Sequence, residues 1–426
     1  MNRRGFLRGT AVAGTVAIAG CLERLGFEEQ SAWSNPPLVD DRPDAVYLPA
    51  GIEEMGTYGR ATDGEYAVEL TYTIPHRFWL VAGETERVDV DADDSMHLML
   101  TVWDPETDTV LPVNAELDVL RGGDSVTGQL SPWPMLSQRM GFHYGDNISL
   151  PEQGEYTARI RIGRLEAEGT GAFEDRFDSP STLEIDFEFN RSDIHDLEFE
   201  LIDEDRRGER NALELMDHSD HGAHDGHGDD EHAAHGNDEH DHGHHGEGHG
   251  HDNHDHHGEG HGHDNHDHHG EGHGHDNHDH HGEGHDHNDP GHPPTSDGPA
   301  IDELPGDVLG TERSGDAKLS VIVPDTDRFA DDAAYLMACL RTPYNDVVLP
   351  SASLRLTIDR DGSAVLEDER LTERIDHEYG HHYGLAVDDL ESDDEITVAV
   401  DSPPQVSRHD GYETAFFEFE DVSFTV

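Results

Sequence analysis

Apolar and polar residues alternate at period two along Tyr66, Val68, Leu70, Tyr72 and Ile74, and again along Leu98, Leu100 and Val102. The same pattern runs through Tyr156, Ala158, Ile160 and Ile162, then Leu183, Ile185, Phe187 and Phe189. A period of two puts every second side chain on one face of a strand, so these are half-buried strands. Well downstream the pattern resumes in Leu319, Val321 and Val323; Leu354, Leu356 and Ile358; Ile396, Val398 and Val400; and Val422, Phe424 and Val426. Few stretches carry a helical period. Short strands separated by Asp, Gly and Pro turns predict antiparallel sandwiches in an all-β protein.

The two patterned regions resemble each other. Leu98-Met99 matches Leu336-Met337, Val110-Leu111-Pro112 matches Val348-Leu349-Pro350, and His143-Tyr144-Gly145 matches His382-Tyr383-Gly384. The three matches are collinear and keep one spacing, with a single-residue slip at the last. They imply a duplicated domain. The boundaries expected are 45–203 for the first sandwich and 301–426 for a shorter, degenerate second copy, with 204–300 as linker.

That linker changes the picture of function. Of the 36 histidines in the chain, 28 fall between His218 and His292. A unit His-Gly-Glu-Gly-His-Gly-His-Asp-Asn-His-Asp-His starts at His245, His257 and His269, and a fourth copy from His281 decays after His285. No apolar residue lies between His235 and Pro290. Nothing there offsets the entropy of ordering, so a long disordered His-rich linker is expected. Imidazole and carboxylate are ligands for first-row transition metals. Repeat slippage producing a plain solvated spacer is the competing reading.

Residues 1–21 read as an export signal. Asn2-Arg3-Arg4-Gly5-Phe6-Leu7-Arg8 carries the twin arginine of Tat substrates, and the apolar run Ala11–Gly20 is too short to span a bilayer. Ile18-Ala19-Gly20-Cys21 resembles a lipobox, which implies acylation of Cys21, a tether over 22–44 and a place on the extracellular face of the cell membrane. The other cysteine, Cys339, stands in an apolar run and reads as a buried small residue.

The formal net charge is −68, from 95 acids against 27 bases spread along the chain. This resembles the composition of proteins from extreme halophiles, where salt screens self-repulsion. Nucleic acid is excluded as a partner, because no Lys/Arg patch exists to meet phosphates.

His377-Glu378-Tyr379-Gly380-His381 has the spacing that, on a helix, sets two imidazoles on one face beside a water-activating glutamate. A zinc metalloprotease is therefore the rival reading. Against it, Val387 stands where the extended motif needs a third ligand, the preceding segment is heavily charged, and the repeat places this segment on the same loop as His143.

Met135-Leu136-Ser137-Gln138-Arg139-Met140-Gly141-Phe142-His143-Tyr144-Gly145-Asp146-Asn147 resembles the iron-transport-associated periplasmic protein family, over roughly 45–190 and weakly over 315–426. The resemblance implies an immunoglobulin-like sandwich that binds copper, iron or zinc. It makes His143 a metal ligand, with Met135 near it. The family's His-x-Glu strand is here Ala67-Val68-Glu69, which keeps only Glu69, and His76 and His97 are the expected replacements. The second copy keeps His382 but lacks counterparts of Met135 and His76. Its site is either degenerate or built from His377, His381 and His382.

The expected function is non-enzymatic. The tract captures divalent iron, copper or zinc, and a site around His143 holds one ion and presents it to a metal permease. An adhesion or scaffold lipoprotein without a defined metal site is the remaining alternative.

Overall fold

Strands dominate the computed structural model, which describes residues 38–216, 293–330 and 333–426. The first half contributes β1 (Gly51–Glu53), β2 (Gly56–Thr62), β3 (Ala67–Thr73), β4 (Phe78–Ala82), β5 (Glu84–Val88), β6 (Met96–Trp103) and β7 (Val113–Arg121). It continues with β8 (Asp124–Leu130), β9 (Trp133–Ser137), β10 (Gly141–Ile148), β11 (Gly154–Leu165), β12 (Glu168–Thr170), β13 (Ser181–Phe189) and β14 (Phe199–Leu201). The second half adds β15 (Gly306–Ser314), β16 (Ala317–Pro324), β17 (Ala334–Arg341), β18 (Ser353–Arg360) and β19 (Ser363–Arg370). It ends with β20 (Thr372–Asp376), β21 (Gly380–Val387), β22 (Glu395–Ser402), β23 (Ser407–Arg408) and β24 (Val422–Thr425). The expected all-β, immunoglobulin-like class is what the chain adopts.

The two halves repeat one topology. β2-β3-β6-β10-β9 lie side by side in the first, and β15-β16-β17-β21-β20 in the second. The facing sheets run β13-β11-β7-β8 and β24-β22-β18-β19. Inward residues of both sheets, such as Leu98, Leu100, Leu117 and Ile160, pack into one apolar core, as the alternation predicts.

The halves are nevertheless not beads on a string. β12, from the first half, pairs in parallel with β20 of the second. β23, from the second half, pairs in parallel with β9 of the first and antiparallel with β4. Each half thus lends the other a strand, and no edge is left open at β9 or β20.

Two stretches expected within the linker are packed instead. Gly208 donates its amide to Leu48 O (2.9 Å) and Met216 donates to Arg139 O (3.0 Å). Past the tract, the buried Ser296 accepts from the Phe142 amide at 2.6 Å. The chain therefore departs toward the tract and returns from it against the segment 139–142, just before His143. The tract at 218–292, the signal sequence and Cys21 lie outside the described residues. Among the described residues no helix is long and apolar enough to cross a membrane.

Candidate metal centre

β6 is buried on both faces. Leu98, Leu100 and Val102 point into the sandwich, while His97, Met99 and Thr101 point to the opposite face. On that second face His97 meets His76, Phe78 and His409, and Met99 packs with Met140 and Met216, so its polar groups need internal partners. His143 on β10 and Met135 on β9 sit opposite each other in register on the same face.

Four imidazoles from four segments meet there. His76 comes from the loop between β3 and β4, His97 from β6, His143 from β10, and His409 follows β23. His76 Nε2 lies 3.0 Å from His409 Nδ1, and His143 Nε2 lies 3.2 Å from His409 Nε2. The His76 and His97 rings are 4.1 Å apart, centroid to centroid. One ring nitrogen each from His76, His97 and His409 can be chosen so that all three lie within 4.8 Å of one another.

The outer nitrogens fix the tautomers. His76 Nδ1 faces Glu53 Oε2 at 2.8 Å and Ile74 O at 3.1 Å. His143 Nδ1 faces Gly141 O at 3.1 Å. His97 Nδ1 faces Asn147 Oδ1 at 3.0 Å, and Asn147 is oriented by donating its own amide to His76 O at 2.8 Å. All these oxygens accept, so each Nδ1 carries a proton and each Nε2 is free to present a lone pair inward. His97 Nε2 is buried and has no hydrogen-bond partner among the described residues. His409 is left between the Nε2 atoms of His76 and His143. A neutral ring has one N–H, so it can satisfy only one of them.

The cluster resists protonation except at one corner. Burial, reinforced by the neighbouring imidazoles, holds His97 and His409 well below the usual imidazole range. Burial also brings His143 down to about 4. For His76 burial acts the same way but is outweighed by the charge and hydrogen bond of Glu53, so its pKa is raised. A proton on His76 Nε2 would complete a donor chain from His76 to His409 to His143, in the electrostatic position a bound cation would take.

The supporting elements are specific. Gly141 has φ +73°, and a Cβ there would collide with Ser296 Oγ. At Gly145 a Cβ would lie 2.5 Å from His97 Nε2 and 3.1 Å from Met135 Sδ, so this glycine keeps thioether and imidazole facing a common space. Arg77 holds Asp410, the residue after His409, at 2.9 Å. Fully buried Arg408 donates to Pro404 O at 3.1 Å and fixes the backbone leading into His409.

Of the candidates read from sequence, the structure brings together His76, His97, His143 and Met135. Glu69 lies elsewhere: it is buried on β3, paired with Arg60, and accepts from Thr57 Oγ1 at 3.0 Å. His377, His381 and His382 do not form a second cluster. His377 accepts from the Ala172 amide at 3.2 Å, His381 Nε2 pairs with Glu373 at 2.7 Å, and His382 is enclosed by Phe329 and Tyr335. The protease spacing falls on a turn and on β21, not on a helix, so the two imidazoles do not share a face, and Glu378 is held by Arg328 at 2.7 Å. His409 escaped sequence reasoning. Its only signal was being one of the few histidines outside the tract.

A family model described as a domain of unknown function (DUF7350) matches residues 302–425. No curated protein matches the chain. Among solved structures, FetP of uropathogenic Escherichia coli strain F11, as isolated, is 16% identical, covering 32% of this chain and 96% of that one, at a TM-score of 0.23. A copper-bound variant of FetP is 15% identical (32% and 93% covered, TM-score 0.25). Copper-reconstituted P19 of Campylobacter jejuni is 14% identical (32% and 96% covered, TM-score 0.26).

Proposed function

We propose that this protein binds one transition-metal ion at His76, His97, His143 and His409, with Met135 beside them, and carries it outside the cytoplasm. The observation that carries the reading is the convergence of imidazole Nε2 lone pairs in a buried site. Protons fixed on the outer nitrogens leave the inner ones facing each other, with His97 Nε2 unpartnered. A cation would satisfy these converging lone pairs together. Imidazoles with a thioether suit copper or iron better than magnesium or calcium. Glu53 on His76 and Asn147 on His97 are the outer partners that orient metal-binding imidazoles. An arriving ion competes with protons for the imidazole nitrogens, so uptake releases acid where they are protonated.

The matched topology and the collinear motifs support descent of the two halves from one duplicated domain, and the acidic composition suits a haloarchaeal-type protein. The twin-arginine leader and Cys21 support export and lipid anchoring. Tethered in this way, the tract collects ions loosely and the cluster holds one for a membrane permease, without catalysis.

Excision of 218–292 tests the reading. The shortened protein, purified in high salt, retains one equivalent of copper, iron or zinc and loses it on His143→Ala. If binding disappears with the tract, the sandwiches are scaffolds and the reading fails.

A further inference from the structure

Beside the imidazole cluster lies a cavity of about 120 Å³. His76, His143 and His409 form part of its wall, and Met55, Met99, Met140 and Met216 form another part. These methionines come from four separate segments: the approach to β2, the outward face of β6, the turn between β9 and β10, and the stretch leading to the tract. Met99, Met140 and Met216 are buried together, and Met55 packs against them. The main apolar core contains one methionine, Met96, whereas the apolar residues of this small cluster are all methionine.

Methionine as packing filler explains single thioethers in mixed cores. It does not explain a cluster made only of thioethers on the wall of a cavity that reaches metal-type ligands. Leu or Ile would fill the same space at a lower cost in side-chain entropy. The charged groups on the wall balance in kind, Glu53 and Asp410 against Arg77 and Arg139, so charge gives no preference for divalent ions. Ligand softness is left to choose the ion, and neutral thioethers select monovalent copper over zinc or magnesium.

We propose that Met55, Met99, Met140 and Met216 form a second, thioether site for a soft monovalent cation, through which Cu(I) reaches the imidazole cluster. The ion moves between ligand sets without changing oxidation state, so no electron donor or acceptor is involved. The destination rests on the function proposed above; the thioether site itself does not.

Silver(I), a diamagnetic stand-in for Cu(I), tests the site in the full chain labelled with methyl-¹³C methionine. The titration is run in sodium nitrate, because chloride precipitates silver. Methyl resonances report only thioethers, so the histidine tract is silent. Single Met→Leu variants assign the signals. The expected result is that Met55, Met99, Met140 and Met216 shift and saturate, together with Met135, while Met96 and Met337 stay. If Met135 moves and the four do not, the cluster is packing and the proposal is overturned. If the four move and Met135 does not, the thioether site stands and the imidazole reading loses. If none moves, both fall. A triple Met55→Leu/Met140→Leu/Met216→Leu variant should load Cu(I) severalfold more slowly to the same final occupancy at the imidazoles; an unchanged rate overturns the relay.

Discussion

His143 and His382 occupy equivalent places in the two halves, and their surroundings have diverged. Each Nδ1 donates to the carbonyl of a glycine two residues back, Gly141 or Gly380, and both glycines have positive φ. Across the sheet, His143 faces Met135, whereas His382 faces Arg374. Strand register aligns His97 with Tyr335, and the lent strands align His409 with Thr170. At Gly145 the free space is shared by His97 Nε2 and Met135 Sδ; at Gly384 the Tyr335 hydroxyl fills it. The Arg374 guanidinium lies 5.3 Å from the Tyr335 ring centroid, giving the second half a cation of its own. One scaffold can therefore gather imidazoles around a common space or close that space, and a few side chains decide which.

The sharpest way to break the comparison is to remove one histidine from each half. His409→Ala should weaken metal binding by roughly 100-fold or more, whereas His382→Ala leaves it unchanged, as read by calorimetry on the tract-excised protein. Equal losses would mean that the halves are not functionally distinct.

Acid unfolding separates the halves next. Burial brings His382 down to about 3 and His143 to about 4, from an ordinary value near 6.5. A histidine with a lowered folded pKa binds fewer protons folded than unfolded, so stability falls as pH drops through that window. His382→Asn should flatten the acid limb by a few kcal/mol, with or without metal. Bound metal should flatten only the part belonging to His143 and its neighbours. His76 has the opposite sign: its raised pKa adds stability at low pH that is lost as pH rises through the folded value. Denaturant midpoints from pH 8 to pH 4 read both effects.

A constructive test follows. In the tract-excised protein, Thr170→His, Tyr335→His and Arg374→Met together should raise the metal stoichiometry from one to two, with the new site the weaker. Stoichiometry fixed at one would show that the loop bearing His76 is indispensable. The smallest effect is expected from Glu53→Gln, which leaves every ligand in place but removes the charge on His76 Nδ1. Affinity should drop by about tenfold, and proton release on loading should shrink, as followed in weak buffer.

Much of this architecture could be read in the chain. The alternation Leu98, Leu100, Val102 located β6 and its inward face, and the matched His-Tyr-Gly motifs paired β10 with β21. What alternation could not reveal is that the outward face, with His97 and Met99, is buried too. Its cover comes from residues around 199–216 and 407–413, far along the sequence and without period. His409 was lost for that reason: Ser407-Arg408-His409-Asp410 has no strand pattern, and its position depends on a pairing across the halves. Glu69 was misplaced by analogy with a neighbouring strand motif, because Arg60 on β2 lies within reach and claims its carboxylate.

The reciprocal loan of β12 and β23 has a consequence for handling the molecule. A protease nick between Asp217 and His292 would yield two fragments, neither of which owns a complete set of four imidazoles. Woven together as they are, those fragments should co-migrate on a sizing column and keep their ion, parting only under denaturant.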